Sequence, residues 1–197
     1  HLNQLGDTLR AVDAYRRALA DAPEDVNLIR SLAFLCENEE EKSGATALRE
    51  RELALTEELI PRLSLRLKEL ERTGALGAGQ RQLDLLLANL DDAPGHPPSI
   101  DALVALLRER RQPHRLVEVL EAQAALLEKS DEASRGAALW LRAAEVAEQE
   151  LDDAERAITA HRRVVAVEPH PRSLDALARL HLGREEPAEA AQWLAQR

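Results

Sequence analysis

The chain has 197 residues and a formal charge of −10, from 36 acidic and 26 basic side chains, so it repels a phosphate backbone and bulk nucleic-acid binding is not expected. Apolar residues reach 45% but aromatic ones only 2%, namely Tyr15, Phe34, Trp140 and Trp193; that suits helices packed through Leu, Ala and Val and not strands, which favour rings and β-branched side chains. No stretch approaches the ~18 apolar residues of a membrane span, nothing reads as a signal peptide, and the single cysteine, Cys36, leaves no intrachain disulfide framework.

Ala11-Val12, Tyr15 and Ala18-Leu19 predict a helix over 7–21, behind a stump at 2–5 and closed by Pro23. Ile29, Leu32, Ala33 and Cys36 recur at i, i+3, i+4 and i+7 and line one face of a helix over 26–37. An acidic run, Glu39-Glu40-Glu41, precedes a long helix over 44–73 that is bent or broken at Pro61. The linker Gly74-Ala75-Leu76-Gly77-Ala78-Gly79 leads to a helix over 79–91. Six more are expected over 99–111, 113–128, 134–149, 153–167, 173–183 and 187–196. Pro113 and Pro187 fit first turns, whereas Pro23 and Pro169 close helices. Ser99, Ser173 and Asp152 or Asp153 are the expected N-caps. Small residues at Ala18, Ala33, Ala144 and Ala178 let paired helices approach closely.

The chain also repeats itself. A shift of 74 residues lays Ser99-Ile100-Asp101-Ala102-Leu103 on Ser173-Leu174-Asp175-Ala176-Leu177, then Leu106 on Leu180, Arg110 on Arg184, Pro113 on Pro187 and Leu120 on Leu194. Pro23, Pro97 and Pro171 keep the same interval. Each long period holds two helical hairpins of roughly 37 residues, near the ~34 of a tetratricopeptide (TPR) unit. Gly6-Asp7, Ala11-Val12, Tyr15, Ala18-Leu19 and Pro23 fall at the spacing of a second TPR helix and its closing proline, and Asp153, Ala157-Ile158, His161, Val164-Val165 and Pro169 repeat it. Trp140, Ala143, Ala144 and Ala147 resemble the first-helix pattern.

The chain therefore resembles TPR proteins, and more loosely the long arrays of large bacterial scaffold proteins; an excess of Arg over Lys, which occurs only at 42, 68 and 129, also associates with a bacterial gene. The resemblance implies an all-α, right-handed superhelical solenoid of about five hairpins, divided as 1–24, 25–98, 99–172 and 173–197 and cut from a longer array. It implies a concave groove lined by first helices, where a partner protein or peptide lies. Carried across residue by residue, the groove-facing positions are Arg30, Phe34, Asp101, Arg108, Arg142, Glu145, Asp175 and Arg179. Trp193 and Leu194 are expected at an open end, available for self-association.

Chemistry-bearing patterns are scarce. No pair of the six histidines has the i, i+4 spacing of a helical metal site, and none stands with cysteine at finger spacing. His161 and His181 occupy aromatic positions of the repeat and read as packing groups, whereas His96, His114 and His170 fall at turns and read as solvated. Cys36 lies on an apolar face and reads as a buried small hydrophobe. The glycines at 74–79 follow a helix and lack a Gly-Lys-Ser/Thr sequel, so they do not form a phosphate loop. Arg108, Arg110, Arg111 and Arg115 form one local basic cluster in a turn. Three lysines and four asparagines, none arranged along a groove, speak against a clamp for a terminal carboxylate. The expectation is a non-enzymatic, protein-binding scaffold segment without metal or cofactor, with an architectural spacer or a regulatory domain of a larger enzyme as alternatives. The lone cysteine points to the cytoplasm and leaves the periplasm open.

Overall fold

The computed structural model describes residues 2–38, 42–74 and 79–197, with side chains from Thr8 onward outside 38–43 and 73–78. The acidic run at 39–41 and most of the expected linker, 75–78, lie outside the described residues. The rest is all helix: eleven α-helices and no strand among the described residues. The chain divides into two compact units, His1–Gly79 and Gln80–Arg197. In both, the helices that pack on one another are neighbours in sequence, which is the signature of a solenoid and not of a closed globule.

The first unit holds α1 (Leu2–Asp21), α2 (Val26–Asn38), α3 (Lys42–Leu55) and α4 (Leu59–Gly74). The expected stump and its partner are one continuous helix, because an interior glycine costs only ~1 kcal/mol and does not by itself end a helix. Between α1 and α2, Asp25 caps α2: its Oδ1 accepts from the backbone N–H groups of Asn27 (2.8 Å) and Leu28 (3.2 Å). The expected long helix is broken at 56–58, ahead of Pro61, which sits in the first turn of α4 where its missing N–H does no harm. Val12, Leu32, Cys36 and Ala45 form the buried core, with Tyr15, Leu19, Leu35 and Leu48 packed against it. Cys36 is buried, as its place on the apolar face implies.

A buried charge joins α2 to α3. Glu52 has 0% exposure, and its Oε1 accepts from Arg30 Nε at 2.6 Å while Oε2 accepts from Arg49 Nη1 at 2.7 Å. Arg49 also forks onto Glu37 through Nε (3.0 Å) and Nη2 (3.1 Å). The bond to Glu37 is the main cause holding the Arg49 guanidinium above its ordinary pKa.

The second unit holds α5 (Gly79–Asp92), α6 (Pro97–Glu109), α7 (Pro113–Lys129), α8 (Ala133–Gln149), α9 (Ala154–Val167), α10 (Pro171–Gly183) and α11 (Pro187–Leu194). Helices α6/α7, α8/α9 and α10/α11 are hairpins with short turns. Four of these helices open on proline, which needs no hydrogen bond there. Ser99 and Ser173 are accordingly not N-caps: the caps are His96 and His170, with each serine three residues inside. Asp153 is an N-cap, its Oδ1 accepting from Arg156 N at 3.0 Å.

Arg111, Asp131, Asp152 and Glu185 adopt φ of 54°, 63°, 53° and 62°, and Gly95 64°. One such residue reverses the chain after α5, α6, α7, α8 and α10; the α9–α10 turn has none. Helix α8 lies between α7 and α9 and buries Ala143, Ala144 and Ala147 completely. On the α7 side, a Cβ added at Gly136 would stand 3.0 Å from the Ala124 carbonyl oxygen, so the two backbones nearly touch.

Candidate interaction surface

The groove residues expected from the resemblance fall on first helices of hairpins in the second unit and on α2 in the first. Phe34 is exposed at 58% on α2, and Arg30, on the same helix, is committed to Glu52. In the second unit, ion pairs cross from one first helix to the next. Asp101 of α6 accepts from Arg142 of α8 at 2.8 Å, and Arg108 of α6 reaches Glu150 at the end of α8 at 2.8 Å. Arg179 of α10 pairs with Glu148 of α8. These pairs tie α8 to α6 through Asp101, Arg108, Arg142 and Glu150, and to α10 through Glu148 and Arg179. Asp175 pairs with Arg197 at 3.0 Å, and Glu145 is half-buried on α8. Sequence reasoning missed Glu148 and Glu150; Glu148 stands one turn beyond Glu145 and so shares its side of α8. In the basic cluster, Arg108 is engaged with Glu150, Arg110 lies 3.4 Å from Gln82, and Arg111 is the turn residue at positive φ.

A cleft of ≈190 Å³ opens between the start of α6, the end of α7 and α8. Pro97, Ile100, Leu127 and Leu139 form its apolar walls, and Arg135 and Arg142 line it too. Arg135 Nη2 donates to the Gly95 carbonyl at 3.1 Å. The volume is below the ~300 Å³ of ordinary small-molecule pockets but suits one aliphatic side chain.

Two polar joints connect successive helices of the second unit, α5 with α6 and α9 with α10. At the first, Asn89 Nδ2 donates to Ser99 Oγ at 3.0 Å, and Ser99 Oγ lies 2.9 Å from His96 Nδ1. At the second, Ser173 Oγ lies 3.1 Å from His161 Nδ1 and 3.3 Å from His170 Nδ1, while His161 Nε2 reaches Glu148 Oε1 at 2.8 Å. The histidines at 96 and 170 are thus bonded and half-buried, not solvated; of the three expected at turns, His114 alone is exposed. Their shared His-Pro-x-Ser pattern, His96-Pro97-Pro98-Ser99 and His170-Pro171-Arg172-Ser173, was the available signal. His161 and His181 are buried as expected, yet both bind carboxylates: His181 Nδ1 reaches Glu186 Oε2 at 2.6 Å.

Burial pushes the His161 pKa below its ordinary value, against the pull of Glu148. The His96 pKa is also lowered, by burial first and by Arg135 second. Burial raises Glu148, but the bonds from Arg179 and His161 outweigh it and leave that carboxyl below the usual range. Ser173, His161 and Glu148 have the chemical types of a nucleophile, a base and an orienting acid. Ser173 has no exposed surface, however, so its hydroxyl cannot meet a substrate. Among the described residues, no three His, Cys, Asp or Glu are grouped to hold a metal, and no helix is long and apolar enough to cross a membrane.

No family model and no curated protein matches the chain. Solved structures do. BtubC from P. vanneervenii shares 14% identity over 98% of this chain and 88% of its own, at a TM-score of 0.48. MamA shares 12% over 88% and 90%, also at 0.48. YrrB, described as a TPR protein with an unusual peptide-binding site, shares 15% over 94% and 91%, at 0.46. With helices paired into short-turned hairpins and alanines where they pack, the chain resembles the tetratricopeptide-repeat proteins.

Proposed function

We propose that the chain is a protein-binding scaffold segment whose partner, an extended peptide or a helix of another protein, lies along the side shared by α6, α8 and α10. The observation that supports this reading is the set of ion pairs between successive first helices, Asp101–Arg142, Arg108–Glu150 and Glu148–Arg179, which fixes acidic groups beside basic ones. Groups already positioned lose little freedom when a partner arrives. Asp101, Arg108, Arg142, Glu145, Asp175 and Arg179 are the contact residues we assign there; Arg30 and Phe34 are separate candidates, on α2 of the first unit. The cleft beside Arg142 takes one aliphatic side chain of the partner as an anchor, as buried apolar anchors commonly do.

A displayed library of extended peptides tests this directly. Binders selected on the protein should lose at least tenfold in affinity on the Arg142→Glu/Arg179→Glu double variant and on Ala138→Trp, which plugs the cleft. Selected binders indifferent to both variants would refute the assignment. An architectural role has one observation in its favour: Leu182, in the last turn of α10, and Leu194, at the end of α11, are exposed. Light scattering at high concentration reads that alternative, which requires an oligomer that Leu194→Glu disperses.

A further inference from the structure

The two polar joints differ in one chemical respect. At the first, the donor into the serine is an amide, Asn89, which cannot titrate; Ser99 Oγ accepts from it, which leaves the hydroxyl hydrogen for His96 Nδ1, 2.9 Å away. At the second, an imidazole stands in the amide's place. A neutral His161 that gives its Nε2 proton to Glu148 has a bare Nδ1, so Ser173 must donate to it, away from His170. The longer Ser173–His170 distance, 3.3 Å against 2.9 Å at the first joint, agrees with that direction. A protonated His161 would donate from both nitrogens. Ser173 would then turn its hydrogen to His170, and the second joint would have the polarity of the first.

We propose that His161 is a proton-sensing joint between the α8/α9 and α10/α11 hairpins: proton uptake at Nδ1 reverses the Ser173 hydroxyl toward His170 and draws the Glu148 charge away from Arg179. With the Ser173 hydroxyl turned to His161, His170 Nδ1 keeps the Ser173 backbone N–H at 3.4 Å, so the joint changes polarity without opening. The charged and titratable groups around His161 are few. Glu148 and Glu145 face it from α8, Arg179 from α10 and, through Ser173, His170 from the preceding turn. Glu148 is the shared acceptor of His161 and Arg179, one through each carboxylate oxygen. Positive charge on His161 therefore weakens its hold on Arg179, and the proposed partner face becomes more cationic in mild acid. The joint itself does not depend on that face binding a partner.

Imidazole ¹⁵N spectra of the whole chain, recorded from pH 8 to pH 5, test the inference. The expected result is a neutral His161 with its proton on Nε2 at pH 8. On acidification Nδ1 should gain a proton, and the His170 Nδ1 signal should shift with the same midpoint. In Ser173→Ala and in His161→Asn the His170 signal should no longer move at the His161 midpoint. A His161 with its proton on Nδ1 at pH 8 would overturn the inference, as would a His170 signal that still follows the His161 midpoint in Ser173→Ala. Both primary readings come from the unaltered chain and stand even if a variant fails to fold.

Discussion

Replacing Glu52 by glutamine tests whether a buried carboxylate holds α2 to α3. Glu52 is fully enclosed and accepts one charge-assisted bond from each of two arginines, at 2.6 and 2.7 Å. Removing one member of a buried ion pair typically costs 3–5 kcal/mol, because the other charge is left bare. Here neither arginine is left wholly bare. Arg30 is 52% exposed and turns to water, and Arg49 keeps its fork onto Glu37. What remains is an amide NH₂ pressed against a guanidinium, a buried donor facing a donor, at ~1–3 kcal/mol. The loss should come to about 2–3 kcal/mol, or roughly 30- to 150-fold in the opening equilibrium at 1.4 kcal/mol per tenfold. Amide hydrogen exchange read by mass spectrometry resolves this by segment. Peptides covering α2 and α3 should exchange faster by that factor, while those covering α8 stay within about threefold of the parent. An acceleration of α2 and α3 below threefold would refute the account of Glu52.

Gly95→Ala forces a side chain onto φ of 64° and places its Cβ 2.6 Å from Leu127 Cδ1, a methyl that can shift into the adjoining cleft; thermal melting should show a loss of about 1–2 kcal/mol, chiefly from the backbone. Ala144→Leu adds three carbons where no surface is exposed, so urea unfolding should register a loss of at least ~1–3 kcal/mol. His161 and His96 both have folded pKa values below the ordinary 6.5, so between the folded values and 6.5 the unfolded chain binds more protons. Stability is full above pH 6.5 and falls as the pH drops through 6.5 toward those folded values, and His161→Asn should flatten part of that slope in pH-dependent melts. Glu148 and Glu186, lowered below 4.5, add a second loss as the pH falls below that value.

The helical pairing was legible because its cause is local. Ile29, Leu32, Ala33 and Cys36 recur at the helical period, and the structure buries all four. Helix starts were less legible. Ser99 and Ser173 have the right chemistry for caps, but Pro97 and Pro171 already open their helices, and the cap position falls to the histidine before each proline. Gly6 marks a boundary by propensity alone, but α1 runs through it. The positions of Asp101 and Arg142 were legible from the repeat; that they pair was not, since 41 residues separate them. Glu52 was beyond reach for the same reason. An acidic residue on a polar helix reads as exposed until Arg30, 22 residues away, is brought onto it. His161 was correctly read as buried, but its bonds to Ser173 and Glu148 depend on which groups the neighbouring hairpins deliver.

Arg111, Asp131, Asp152 and Glu185 all turn the chain in a conformation that glycine or asparagine adopts more readily. Arg111 and Glu185 have no short side chain to offset the crowding, at ~1–2 kcal/mol each. A domain of ordinary stability has about 5–15 kcal/mol in all, so these two corners hold back a sizeable fraction of it. Asparagine at both would release that reserve without touching the surface shared by α6, α8 and α10, a hardened scaffold with its recognition chemistry intact.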